Sequence, residues 1–167
     1  MGRLADAESG GSNNATGSRS HPSSLVSDPS DIARVAVVGM GTMGAGIAQA
    51  IVVAGIPTVV VEERPEAVEK GRRKIAASLE KRVAQGKLGP EDRDRTLALL
   101  RVAHDIEEVA DADLVVEAVF EDLDTKRRVL GQIESVCRPE AILATNTSTI
   151  NLDGLAEGLR HPERLIG

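Results

Sequence analysis

The 167-residue chain has no tryptophan, no tyrosine and a single phenylalanine, Phe120. Sites that bind nucleic acid by stacking need aromatic faces, so that class of partner has no platform here. Positive charge is also short: 20 Lys and Arg stand against 26 Asp and Glu, a net charge of −6. That balance argues against nucleic acid as the main partner. There is one cysteine, Cys137, so neither an internal disulfide nor a cysteine-built zinc site is available, and no metal centre is expected. Cys137 falls in an expected helix and reads as a small buried apolar residue. No apolar run reaches the roughly 20 residues of a bilayer span, so no membrane partner is expected. The first residues lack the basic-then-apolar order of a secretory signal, and Asp6 and Glu8 argue against a transit peptide. A reducing, cytoplasmic setting is the expectation.

The length suits one domain with a real core. Residues 1–32 are rich in Ser, Gly, Asn and Ala. They are expected to form a disordered polar tail, because they carry too little apolar surface to offset their ordering entropy. Residues 33–167 are the expected folded domain. Its centre is an apolar run, Val35 to Val38, that stops at Gly39 and continues as Gly39-x-Gly41-x-x-Gly44. An amphipathic segment, Ile47 to Ala54, follows and ends at Gly55. The reading is strand, tight glycine turn, helix: one glycine makes the turn, the second admits a pyrophosphate, the third lets helix pack on strand. No Ser, Asp or Asn caps this helix, so its N–H groups and positive dipole end are left for an anion. A purely structural glycine turn is the alternative. The test between the two is an acidic residue about 20 positions on, and Glu62 supplies it at the end of a second apolar strand, Thr58 to Val61. A carboxylate there accepts from the adenosine ribose hydroxyls and repels a 2′-phosphate, which favours NAD over NADP. Arg64, two residues later, is placed to blunt that preference. The bland alternative for this stretch is a solvated Glu-Glu-Arg turn.

Strand and helix then alternate. Pro65 and Glu66 open a long helix with Val68, Ile75, Leu79 and Val83 on one face. Gly86 and Gly89-Pro90 break it, and a second helix carries Leu97. Between Lys70 and Lys87 seven cations face Glu80 alone. This is either a local field for an anionic substrate handle or an ordinary exposed helix face. Further strands are expected at Leu99 to Ala103, Asp113 to Glu117 and Ala141 to Ala144, with a short helical piece at Asp105 to Ala110 and a helix from Leu123 to Val136. Thr145-Asn-Thr-Ser-Thr149 is a polar cluster at a strand's carboxyl end, where open α/β sheets bind ligands. Equally, Asn146, Ser148 or Asn151 serves only to cap the helix Leu152 to Leu159. The fold class is α/β, a doubly wound parallel sheet of Rossmann type with a helical-pair insertion after the second strand.

Three segments carry a family resemblance: Val35 to Ala48, Ala112 to Leu123 and Ala141 to Ser148. Together they closely resemble the NAD-binding domain of L-3-hydroxyacyl-CoA dehydrogenases, 3-hydroxybutyryl-CoA dehydrogenases among them, from about Ala33 to Gly167. The resemblance implies NAD-dependent, reversible oxidation of a 3-hydroxyacyl-CoA to the 3-ketoacyl-CoA. It implies that Gly39, Met40, Gly41, Thr42, Met43 and Gly44 cradle the pyrophosphate and that Glu62 holds the adenosine ribose. Glu121 and Lys126 line the cofactor, Asn146 lies near the nicotinamide, and Ser148 hydrogen-bonds the substrate's 3-oxygen. The helical pair touches coenzyme A in this family, with Ser78 as a contact and Lys87 standing in for a lysine that falls on Gln85. The family's general base is a histidine expected just beyond Gly167, with a C-terminal helical domain. The chain therefore reads as a cofactor half, not competent alone and completed by a separate helical chain. A free-standing NAD-binding sensor or interaction module is the alternative, and a relative acting on another hydroxy compound is a third. Of the histidines present, only His104 lies on the cofactor edge.

Overall fold

The computed structural model describes residues 31–167; the expected tail lies outside the described residues apart from its last two positions. The chain runs β1 (Val35–Val38), α1 (Thr42–Val53), β2 (Thr58–Val61), α2 (Pro65–Ala84), α3 (Pro90–Ala98) and β3 (Leu100–Ala103). A 3₁₀ turn, Ile106–Val109, leads to β4 (Leu114–Glu117), α4 (Leu123–Val136) and β5 (Ile142–Thr145). Then come α5 (Leu152–Ala156), a second 3₁₀ turn at Pro162–Arg164, and β6 (Leu165–Ile166).

The six strands form one parallel sheet in the order β3-β2-β1-β4-β5-β6. From β1 the chain winds outward to β3, then returns to lay β4 on the other side of β1. Val35 is paired with Thr58 on one side and Leu114 on the other. All four residues of β1 are buried, as an apolar run must be when both faces of a parallel strand are covered. The side chains alternate between faces. Val37 joins Met40, Ala48, Val60, Ile75 and Leu79 under α1 and α2. Ala36 and Val38 join Val115, Leu130, Ile133 and Leu143 under α4.

Where sequence and structure differ, local physics explains it. α1 begins at Thr42, well before the apolar segment at Ile47. Its first turns hold two glycines, poor helix formers, kept helical by packing on β1. α5 stops at Ala156 instead of Leu159, because Gly158 takes a left-handed φ of 95°. Cys137 lies one residue past the end of α4 and is buried, as expected, at 8% exposure. The Asp113 carboxylate precedes β4 and pins the start of the folded region. It accepts from Ala33 N at 2.9 Å and Arg34 N at 2.7 Å, and pairs with Arg138. Burial pushes this carboxyl up, but those hydrogen bonds outweigh it and hold it below the usual carboxylate range.

Two of the three motif glycines are demanded by the fold itself. Gly39 has φ 104°, and a Cβ there would lie 2.7 Å from the carbonyl oxygen of Ala118. A Cβ on Gly44 would collide with the carbonyl oxygen of Gly39. Gly41 differs: nothing lies within 4 Å of where its Cβ would be. Gly44→Ala is expected to destabilise the domain by about 1–3 kcal/mol, since backbone must move to admit the methyl group. Gly46→Ala, which enters open space on the same helix, should gain about 0.5–1 kcal/mol. Urea unfolding followed by circular dichroism measures both.

Candidate functional site

The carboxyl ends of β1, β2, β4 and β5 open into one cleft of about 1010 Å³. It straddles the β1–β4 boundary, the switch point where open parallel sheets bind ligands. Its floor is the turn from β1 into α1. The N-terminus of α1 has no side-chain cap and no acidic residue in its first turn, so orphan N–H groups and the positive helix end face the cleft. By contrast, α4 is capped by Asp122, which accepts from Thr125 N, and α5 by Asn151, which accepts from Asp153 N. Of the three residues read as possible caps, one takes that place. Asn151 is the cap, while Asn146 and Ser148 line the cleft.

At the β2 end, Glu62 is 7% exposed. Its carboxylate accepts from Met40 N at 3.0 Å, from Arg64 N at 3.1 Å, and from the Arg64 guanidinium. Burial pushes the Glu62 carboxyl up, but the Arg64 guanidinium and the two N–H groups outweigh it and hold it below its ordinary value. Behind it, His104 Nδ1 stands 2.9 Å from the Glu62 carbonyl oxygen.

At the β4–β5 end the key group is Glu117, fully buried. It accepts from Lys126 Nζ at 2.8 and 3.0 Å, from Thr145 Oγ1 at 2.6 Å and from Val119 N at 2.7 Å. Its carbonyl oxygen accepts from Asn146 N at 2.9 Å. The Lys126 ammonium, 1% exposed, also reaches Glu121 Oε2 at 3.3 Å. Glu121 in turn accepts from the hydroxyls of Thr147 and Thr149. Those hydroxyl bonds, Thr147 first, hold the Glu121 carboxyl below its usual range. A continuous polar chain thus ties the β4 and β5 loops together beneath Asn146 and Ser148.

The sequence of this domain matches the family described as "3-hydroxyacyl-CoA dehydrogenase, NAD binding domain" over residues 34–167. The chain belongs to that family. NAD is the cofactor of these domains. The chain is 40% identical over 139 residues to the peroxisomal fatty acid beta-oxidation multifunctional protein of Oryza sativa subsp. japonica, covering 83% of this chain and 19% of that protein. It is 39% identical over 137 residues to a 3-hydroxybutyryl-CoA dehydrogenase of Mycobacterium tuberculosis, covering 81% of this chain and 48% of that one. The crystal structure of a (S)-3-hydroxybutyryl-CoA dehydrogenase from Ralstonia eutropha superposes with a TM-score of 0.79 at 37% identity, over 81% of this chain and 48% of that chain. The chain therefore spans about half the length of these dehydrogenases, and less of the plant protein.

The residues of this 3-hydroxyacyl-CoA dehydrogenase domain fit a dinucleotide. The empty space over Gly41 and the uncapped start of α1 suit a pyrophosphate, and the Glu62 carboxylate suits a ribose. Gly39, Gly41, Thr42, Met43, Glu62, Glu121, Asn146 and Ser148 share the cleft. Five of the expected site residues do not line it. Met40 turns its 2%-exposed side chain onto Gly71 of α2 and offers only its N–H, to Glu62. Gly44 packs on Gly39, and Lys126 lies beneath the floor. Ser78 accepts from Gln49 Nε2 at 2.8 Å on the α1–α2 contact, away from the cleft. Lys87 is exposed in the turn between α2 and α3. The basic cluster is less uniform than its sequence suggests, since Arg73 pairs with Glu69 and Lys74 donates to the carbonyl of Thr42.

Glu117 is not among the expected site residues. Its signal was present, a lone charge ending an otherwise apolar strand, as Glu62 also does. Removing one member of a buried pair strands the other charge, at about 3–5 kcal/mol. Lys126→Met is therefore expected to destabilise the domain by about that much, and adding Glu117→Gln should recover most of the loss. Chemical denaturation of the two single variants and the double one measures the coupling.

Proposed function

We propose that the chain is the cofactor-binding half of an NAD-dependent 3-hydroxyacyl-CoA dehydrogenase, and that its substrate pair is a 3-hydroxyacyl-CoA and the corresponding 3-ketoacyl-CoA. The observation that carries this reading is the placing of Ser148 and Asn146 in the same cleft as the open N-terminus of α1 and Glu62. Bound NAD supplies the hydride acceptor. The chain's own part is to hold and orient. The N–H groups at the start of α1 would take the pyrophosphate, and Glu62 would accept from the adenosine ribose. Asn146 would lie by the nicotinamide, and the Ser148 hydroxyl would donate to the substrate's 3-oxygen and orient it. The threonines on Glu121 and the buried Glu117–Lys126 pair fix the loop that presents both residues.

Removing the proton from the 3-hydroxyl requires a base within hydrogen-bond reach. His104 does not meet that condition. It follows β3 while Ser148 follows β5, four strand spacings or roughly 19 Å across the sheet. The base in this reading is a histidine that lies outside these 167 residues.

The test is an NADH titration of the purified chain, followed by acetoacetyl-CoA reduction. Saturable NADH binding without turnover is the expected result. Gly41→Ala, whose methyl group enters space kept for the pyrophosphate, should leave the melting temperature unchanged and weaken NADH at least about tenfold. Failure to bind NADH would overturn the reading. Turnover that disappears in Ser148→Ala would contradict the account of the base. Intact NADH binding with no response to acyl-CoA, even alongside a helical partner, would favour a sensor.

A further inference from the structure

A carboxylate offers about four lone-pair positions, and in Glu62 protein N–H groups take them all. Oε1 accepts from Arg64 N at 3.1 Å and Arg64 Nε at 3.0 Å. Oε2 accepts from Met40 N at 3.0 Å and Arg64 Nη2 at 3.2 Å. Such a carboxylate has no room for ribose hydroxyls until a donor leaves. Two of the donors are backbone groups fixed by the β1 turn and the start of α2. The other two belong to a guanidinium whose side chain is 65% exposed, and an ion pair that open to water is weakly held. A ribose bound there would displace the Arg64 guanidinium and leave the backbone donors in place.

Once displaced, the guanidinium remains on the cleft rim, tethered two residues from the carboxylate that meets the ribose. An unpaired Glu at this position repels a 2′-phosphate. Here the charge is balanced, and the balancing group is a planar fork suited to phosphate oxygens. Arg128, from α4, also lines this cleft, against Glu63, Asp105 and Glu107.

Resting on the dinucleotide reading of the cleft, we propose that Arg64 is a specificity-determining residue that lets this site take the 2′-phosphorylated dinucleotide, NADPH, as well as NADH. Arg64 plays two opposed parts. It competes with the ribose hydroxyls of NADH for Glu62, and it pairs with the 2′-phosphate of NADPH.

The opposed parts make the test discriminating. NADH and NADPH are titrated by cofactor fluorescence into the full chain, Arg64→Ala, Glu62→Gln and the double variant. The wild-type chain should bind NADPH within about thirtyfold of NADH. Arg64→Ala should lose at least about tenfold in NADPH affinity while NADH holds or tightens. Glu62→Gln should turn the preference toward NADPH, and the double variant should lose that gain. An Arg64→Ala variant whose two affinities fall together, or do not change, overturns the proposal, as does wild-type binding of NADH with none of NADPH. A wild-type chain that binds neither cofactor overturns the dinucleotide reading as well, which separates the two failures.

Discussion

The structure depends on one close approach, the first turn of α1 lying directly on the carbonyl of Gly39. That contact leaves no space for a side chain at Gly44. It sets the start of the helix over the end of β1, at the point where the sheet order reverses between β1 and β4. Since no side chain caps the helix there, its N–H groups are turned toward the cleft and remain open to an anion. The left-handed turn at Gly39 and the bare Gly41 complete the arrangement, one by geometry and the other by keeping the approach clear.

Two carboxylates flank this centre, and they illustrate how environment separates chemically identical groups. Glu62 closes β2 and Glu117 closes β4, and both are almost wholly buried. Glu117 is matched by a buried ammonium, a threonine hydroxyl and a backbone N–H, so it serves as a fixed strut under the β5 loop. Glu62 is matched partly by an exposed guanidinium, so part of its hydrogen-bonding capacity can be exchanged for a ligand. A charge whose partner is buried builds structure, whereas one whose partner is solvated can bind. The 3-hydroxyacyl-CoA dehydrogenase domain has one of each kind, Glu62 lining the cleft and Glu117 buried outside its lining.

Much of this was legible in the sequence. Val35 to Val38 and Thr58 to Val61 stand out because a strand covered on both faces reads as an unbroken apolar run, and the glycine spacing located the turn. The start of α1 was harder, because Thr42 to Gly46 has weak helix propensity and is held by tertiary packing. The Glu117–Lys126 pair was invisible for a different reason. A strand end and a helix interior meet across a turn that carries no periodicity, so spacing says nothing of their contact. The same holds for Met40, whose neighbours in the chain do not reveal that it turns under α2, and for Arg64, whose bond to Glu62 depends on the exit angle from β2. Backbone pattern is written locally; the partner of a buried polar group is not.

A cofactor lying along the carboxyl edge, across the start of α1, would leave a distinct imprint on the backbone amides. An NADH titration of the ¹⁵N-labelled chain, followed by backbone amide shifts, reads that imprint residue by residue. The largest changes should fall on Gly41 to Gly44, on Glu62 to Arg64 and on Asn146 to Ser148, with Arg34, Leu99 and Asp111 at the opposite edge unmoved. Changes centred on that opposite edge, where a cavity of about 500 Å³ lies, with quiet amides at the start of α1, would contradict that placement of the cofactor.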